Sequence, residues 1–189
     1  MRLLFCALIA SLVGTCSSPP PMIDQIMELG ELRVVTRNTP TSYFVGPDGP
    51  AGPEYDLVRD FADELGVTLV TETVDSVSEI LPRLMDGTVH MAAAGLSMTE
   101  SRRRFLSFGH PYNSVDMHLI YKLGTGRPRS IEDLVGRSIE VIAGSSHSEM
   151  MASLAEVYPG LEWTENADVE VVDLLQKVAN DELECTIAD

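Results

Sequence analysis

Basic residues are scarce: 13 Lys and Arg stand against 29 Asp and Glu, for a formal charge of −16. A field of that sign repels polyanions, which excludes nucleic acid as a natural partner. On the bland side, an acidic surface serves solubility. Cysteine is nearly absent, with 3 among 189 residues. Cys6 and Cys16 fall near an amino-terminal leader, so Cys185 stands alone and an internal disulfide is excluded. Its apolar neighbours make Cys185 a small buried hydrophobe, not a nucleophile. There is no CxxC pair, no HExxH and no catalytic phosphate loop, and His90, His110, His118 and His147 lack the short paired spacing of a metal site. No metal and no cofactor is expected. No tandem repeat of fixed period occurs, and the only biased segment is the run Pro19 to Pro21.

What is present is a normal globular mix, 44% apolar and 22% charged, enough for one ordinary domain or two small lobes. The chain opens with Arg2 and an apolar stretch from Leu3 to Val13, about 11 residues, too short to span a bilayer but suited to a signal h-region. Leu12-Val13-Gly14-Thr15-Cys16 then resembles a bacterial lipoprotein signal, in which Cys16 becomes the lipidated first residue. Thr15 departs from the Gly, Ala or Ser preferred there, which leaves ordinary cleavage nearby as the alternative. Residues 1–16 are thus the leader, and 17–29 a stiff Pro-containing tether with a first helix.

Beyond it the pattern alternates strand and helix, as in α/β domains. Ile23 to Leu29 has helical spacing and stops at Gly30, and Leu32 to Thr36 is a strand. Thr39 to Pro53 is a Pro- and Gly-rich loop. Asp56 to Leu65 forms a helix ending at Gly66, followed by the strand Val67 to Val70. Ser78 to Met85 is helical, Met91 to Ala94 a short buried strand, and Thr99 to Arg104 a short helix or turn. Val115 to Tyr121 is strand-like and a candidate crossing to a second lobe. Ile131 to Leu134 makes one helical turn, Ser138 to Ile142 a strand, Ser148 to Tyr158 and Val169 to Ala179 helices, and Glu184 to Ala188 the last strand. The boundaries are a first lobe at 30–120 and a second at 121–189. Because Thr186-Ile187-Ala188-Asp189 reads as a buried strand delivering a carboxylate to a cleft, with nothing after it to close the domain, the second lobe is expected to be incomplete and the chain carboxy-terminally truncated.

Three segments carry a specific resemblance. Gly95-Leu96-Ser97-Met98-Thr99-Glu100-Ser101-Arg102 with Phe108-Gly109-His110-Pro111-Tyr112, then Gly144-Ser145-Ser146, then Asp189, resemble in this order the ligand motifs of family 3 periplasmic solute-binding proteins. Further segments, among them Val35 to Phe44, Gly144 to Glu149 and Val169 to Leu175, are similar to the amino-terminal module of membrane-bound lytic murein transglycosylases, whose catalytic domain has no counterpart in this chain. The resemblance implies a two-lobed, type II periplasmic-binding-protein α/β fold that binds an amino acid or short cell-wall peptide. It also implies a periplasmic setting, anchored at the outer membrane through Cys16, and a regulatory role in peptidoglycan turnover without catalysis by this chain. A monomer is expected.

The chemistry of such a ligand fits the residues. A carboxylate calls for a planar fork of donors, which Arg102 provides, with Ser97 and Thr99 close by in sequence to add hydroxyl or N–H donors. Taken without the motif, Arg102 beside Arg103 and Arg104 reads as a solvated base. Asp189 is the proposed ammonium acceptor from the opposite lobe, or else an ordinary strand-end carboxylate. Tyr43 is expected over the ligand's aliphatic part. Ser145, Ser146 and His147 would cap the carboxylate from a helix N-terminus, with His147 equally readable as a helix-start hydrogen-bonder. His90 is a packing difference. The rivals are a free-standing amino-acid-binding protein of a transporter and a cyclohexadienyl-dehydratase-like enzyme, which would need an acid and a base over a ring substrate.

Overall fold

A computed structural model describes residues 20–189. The leader and Cys16 lie outside the described residues, as do the first residues of the tether.

In the first lobe the elements are α1 (Met22–Leu29), β1 (Glu31–Arg37), the hairpin strands β2 (Phe44–Gly46) and β3 (Gly49–Ala51), α2 (Pro53–Leu65), β4 (Thr68–Val74), α3 (Ile80–Met85) and β5 (Met91–Ala93). β1 is the centre of a parallel sheet ordered β4-β1-β5. Flanked on both edges, it is buried at five of its seven residues, Leu32 and Val34 to Arg37, as central parallel strands are. Alternation then sorts its side chains: Leu32 and Val34 pack with Ile26, Val58 and Ala62 of α1 and α2, while Val35 faces Val74, Ile80 and Val89 on the other side. α2 starts three residues before the Asp56 start read from the sequence, because Pro53 sits at the first helical position, where its missing N–H costs nothing.

The second lobe holds β6 (His118–Tyr121), β7 (Ile139–Ile142), α4 (Ser146–Val157), β8 (Thr164–Asn166), α5 (Val171–Ala179) and β9 (Cys185–Ala188). Its sheet runs β6-β9-β7-β8, with β6 antiparallel to β9 and the other pairs parallel. Ile139, Val141, Met151, Cys185 and Ile187 form the core under α4, and Ile142, Leu174, Val178 and Leu183 the core under α5. Cys185 is fully buried there, and burial pushes its thiol pKa up. β6 lies wholly in this second sheet, so the chain has crossed between lobes before His118, ahead of the 120/121 division read from the sequence.

Two elements depart from the sequence reading. The segment taken as a loop from Thr39 contains the β2–β3 hairpin, turned at Pro47 and Asp48. β8, Thr-Glu-Asn at the sheet edge, has no apolar residue to announce it.

Candidate functional site

The carboxyl ends of β1, β5 and β7 and the N-terminus of α4 converge between the lobes, the place where α/β sheets collect ligand-binding groups. A cavity of about 290 Å³ lies there, with Ser97 and Arg102 on the first lobe facing Ser145, Ser146, His147 and Asp189 on the second. A wider depression of about 460 Å³ on the first lobe, between Met98, Arg103 and Pro111, gathers none of these groups. Chemistry favours the interlobe cavity.

Arg102 is 1% exposed. Its Nε donates to Glu149 Oε1 at 2.6 Å, Nη1 to the Ser97 carbonyl at 3.3 Å and Nη2 to the Gly144 carbonyl at 3.0 Å. Glu149 and Gly144 both belong to the second lobe, so this arginine ties the lobes together. Three of its five N–H donors are thereby used, and two remain. Glu149 Oε2 also accepts from the Thr99 hydroxyl at 2.6 Å and from the Ser101 hydroxyl. Burial pushes Glu149 up, but Ser101, Thr99 and Arg102 together outweigh it and hold its carboxyl below the usual range.

Glycine is required where the lobes meet. Gly144 has φ +71, and a Cβ on it would stand 2.9 Å from Ser78 Cα of the first lobe. On the second lobe Ser145 caps α4: its Oγ accepts from Ser148 N at 3.2 Å and its hydroxyl donates to the Ile142 carbonyl at 2.6 Å. Ser146 Oγ reaches Ser97 Oγ at 3.4 Å across the cleft. His147 is buried and its Nε2 lies 2.9 Å from Asp189 Oδ1, while Asp189 keeps 43% of its side chain exposed. Behind the first-lobe wall, buried Glu54 accepts from Gly95 N at 2.7 Å and from the Tyr112 hydroxyl. Burial and that carboxylate push the Tyr112 hydroxyl well up, so it stays a donor. His90 is remote: its Nδ1 accepts from Arg33 N at 3.1 Å, a packing contact.

Six of the eight residues singled out in the sequence line the cavity. Two do not. Tyr43 stands off the cavity, its ring edge-on to Tyr55 at 5.5 Å and its backbone held by the bridges that open the hairpin. Thr99 stands off the cavity, with its hydroxyl donated to Glu149. Sequence reasoning missed Glu149, Glu170 and Arg37. The signal for Arg37 was a charge directly after the apolar and β-branched run Val34-Val35-Thr36, and Glu149 and Glu170 had none, since their partners lie 47 and 133 residues away.

Residues 32–185 match the bacterial extracellular solute-binding proteins, family 3. The chain belongs to that family. As a family 3 protein it has curated relatives named membrane-bound lytic murein transglycosylase F, one from Pseudomonas fluorescens, 43% identical over 180 residues, and one from Saccharophagus degradans, 40% identical over 189 residues. These alignments cover 94% and 100% of this chain and 37% of either relative, whose amino-terminal, solute-binding part is the part matched. Among solved structures, the arginine-bound form of truncated ArgBP from T. maritima superposes with a TM-score of 0.70 at 24% identity, covering 88% of this chain and 76% of that one. The ancestral amino acid-binding protein AncCDT-1, a precursor of cyclohexadienyl dehydratase, gives 0.69 at 23% identity, covering 89% and 74%. Both carry the type II periplasmic-binding fold, which is the fold of this chain.

Proposed function

We propose that this family 3 domain holds an amino acid or a short cell-wall peptide between its lobes, and that in a longer protein bearing a transglycosylase domain its closure regulates peptidoglycan cleavage. The observation that carries the reading is a buried arginine, Arg102, and an exposed carboxylate, Asp189, lining one interlobe cavity from opposite sides. A zwitterion bridges such a pair. Its carboxylate takes the two remaining Arg102 donors with help from Ser97 and Ser146, and its ammonium goes to Asp189 beside His147. Binding stabilises the closed arrangement, a population shift between open and closed lobes. The catalytic step belongs to another domain. The setting is the periplasm, with Cys16 as the lipid attachment to the outer membrane. A second reading, a free-standing amino-acid-binding protein of a transporter, is favoured by the amino-acid-bound fold neighbours; a transglycosylase domain in the same gene decides for the first.

Calorimetry with amino acids and muropeptide stem peptides tests the binding reading. Arg102→Ala should weaken binding by at least tenfold, roughly 2 to 5 kcal/mol for loss of a buried ionic partner. An unchanged dissociation constant refutes the clamp.

A further inference from the structure

Arg37 ends β1 at the wall of the same cavity, and only 10% of its side chain is exposed. Nη2 donates to the Glu170 carboxylate and, at 3.4 Å, to the Asp75 carbonyl. Its Nε is buried with no hydrogen-bond partner among the described residues. Glu170 comes from the opposite lobe, lines the cavity too, and has 50% of its side chain exposed. The first lobe therefore brings to the cavity a second buried cation, with its fork half satisfied by a carboxylate that can swing into water.

An unmade donor on a buried guanidinium is costly, and a guanidinium's best partner is an acid that accepts two parallel bonds. Glu170 supplies one such bond to Nη2 and leaves Nε unserved. An acid that enters the cavity can take both.

We infer that Arg37 is the specificity-determining residue of the cleft, selecting a ligand that carries a second acid group in its side chain. This rests on the ligand-binding reading above. The α-carboxylate goes to Arg102, the ammonium to Asp189, and the side-chain carboxylate to Arg37 Nε and Nη2, displacing Glu170 towards solvent. A neutral amide of the same shape offers one acceptor and no charge, so it is the discriminating comparison. A cationic side chain is repelled by Arg37.

The test is calorimetry on the full chain with L- and D-glutamate, each against the matching glutamine. The wild type should bind at least one glutamate tenfold or more tighter than its amide. Arg37→Gln should cost glutamate at least tenfold more than glutamine, and Arg37→Lys, which keeps the charge and loses the fork, should restore part of the preference. Where Arg37→Gln fails to unfold cooperatively, the Lys variant carries the test through its reduced ratio. Binding with equal affinity for acid and amide overturns the inference and leaves the ligand-binding reading standing. If Arg37→Gln weakens both probes equally, the Arg37–Glu170 pair is only a latch and the inference fails. No binding of any of the four probes also overturns it, while stem peptides with Arg102→Ala decide the broader reading separately.

Discussion

Arg102 of the first lobe and Glu149 of the second meet at 2.6 Å, and the arginine is much the more deeply buried, with 2% of its side chain exposed against 27%. The pair is therefore asymmetric. Removing Glu149 leaves a nearly fully buried cation without its counter-ion, whereas removing Arg102 frees a carboxylate that water and two hydroxyls already reach.

This asymmetry predicts an order of stabilities. Glu149→Ala should cost about 3 to 5 kcal/mol, the range for an uncompensated buried charge. Arg102→Met should cost less, about 1 to 3 kcal/mol, mostly from the Ser97 and Gly144 carbonyls left without their donors. Urea unfolding of both variants measures this, and the opposite order would show that cavity water compensates Arg102 once Glu149 is gone.

Acid should loosen the closed lobes. Glu149 is held below its ordinary value of 4.5 in the folded chain, so the unfolded chain binds the proton more readily. The contribution is complete above that value and is lost as pH falls through the depressed folded value. Between pH 7 and pH 3.5 or so, the melting temperature of the wild type should fall further than that of Glu149→Gln, which has no proton to gain there. Parallel curves would remove Glu149 from the acid response. Other depressed carboxylates, such as Glu140 beside Lys177, are common to both chains and cancel in the comparison.

Gly144→Ala should hold the lobes apart. The methyl would meet Ser78 backbone at 2.9 Å, and the left-handed conformation at φ +71 adds roughly 1 to 2 kcal/mol of its own. The expected result is a larger radius of gyration by small-angle scattering and weaker binding of any ligand the wild type binds, with each lobe still folded by circular dichroism. An unchanged radius would mean that the loop moves aside without opening the cleft.

The first lobe's sheet was legible because β1 and β4 announce themselves by runs of apolar and β-branched residues, and α2 by its stripe ending at Gly66. β8 was not, since Thr164, Glu165 and Asn166 gain their strand geometry from pairing with Glu140, Val141 and Ile142, not from their own preferences. The hairpin around Pro47 was hidden for a related reason: strands of three residues containing Pro50 read as loop. In the cleft, Arg102 and Asp189 were found through motif spacing. Arg37 drew no reading because its partner Glu170 lies 133 residues on, and Thr99 looked free because the carboxylate that claims its hydroxyl lies 50 residues on.

The register of β6 against β9 bears on how a force at the cleft would travel. β9 delivers Asp189, and its last residue, Ala188, sits opposite His118, the first residue of the strand by which the chain enters the second sheet. The acid end of the cleft and the joint between lobes are thus one ladder rung apart. A tug on Asp189 acts on the joint through a very short lever arm, while the opposite grip at Arg102 sits on the far body. A molecule held at both ends, as proposed, would therefore turn the lobes about that joint before it bent the sheet between.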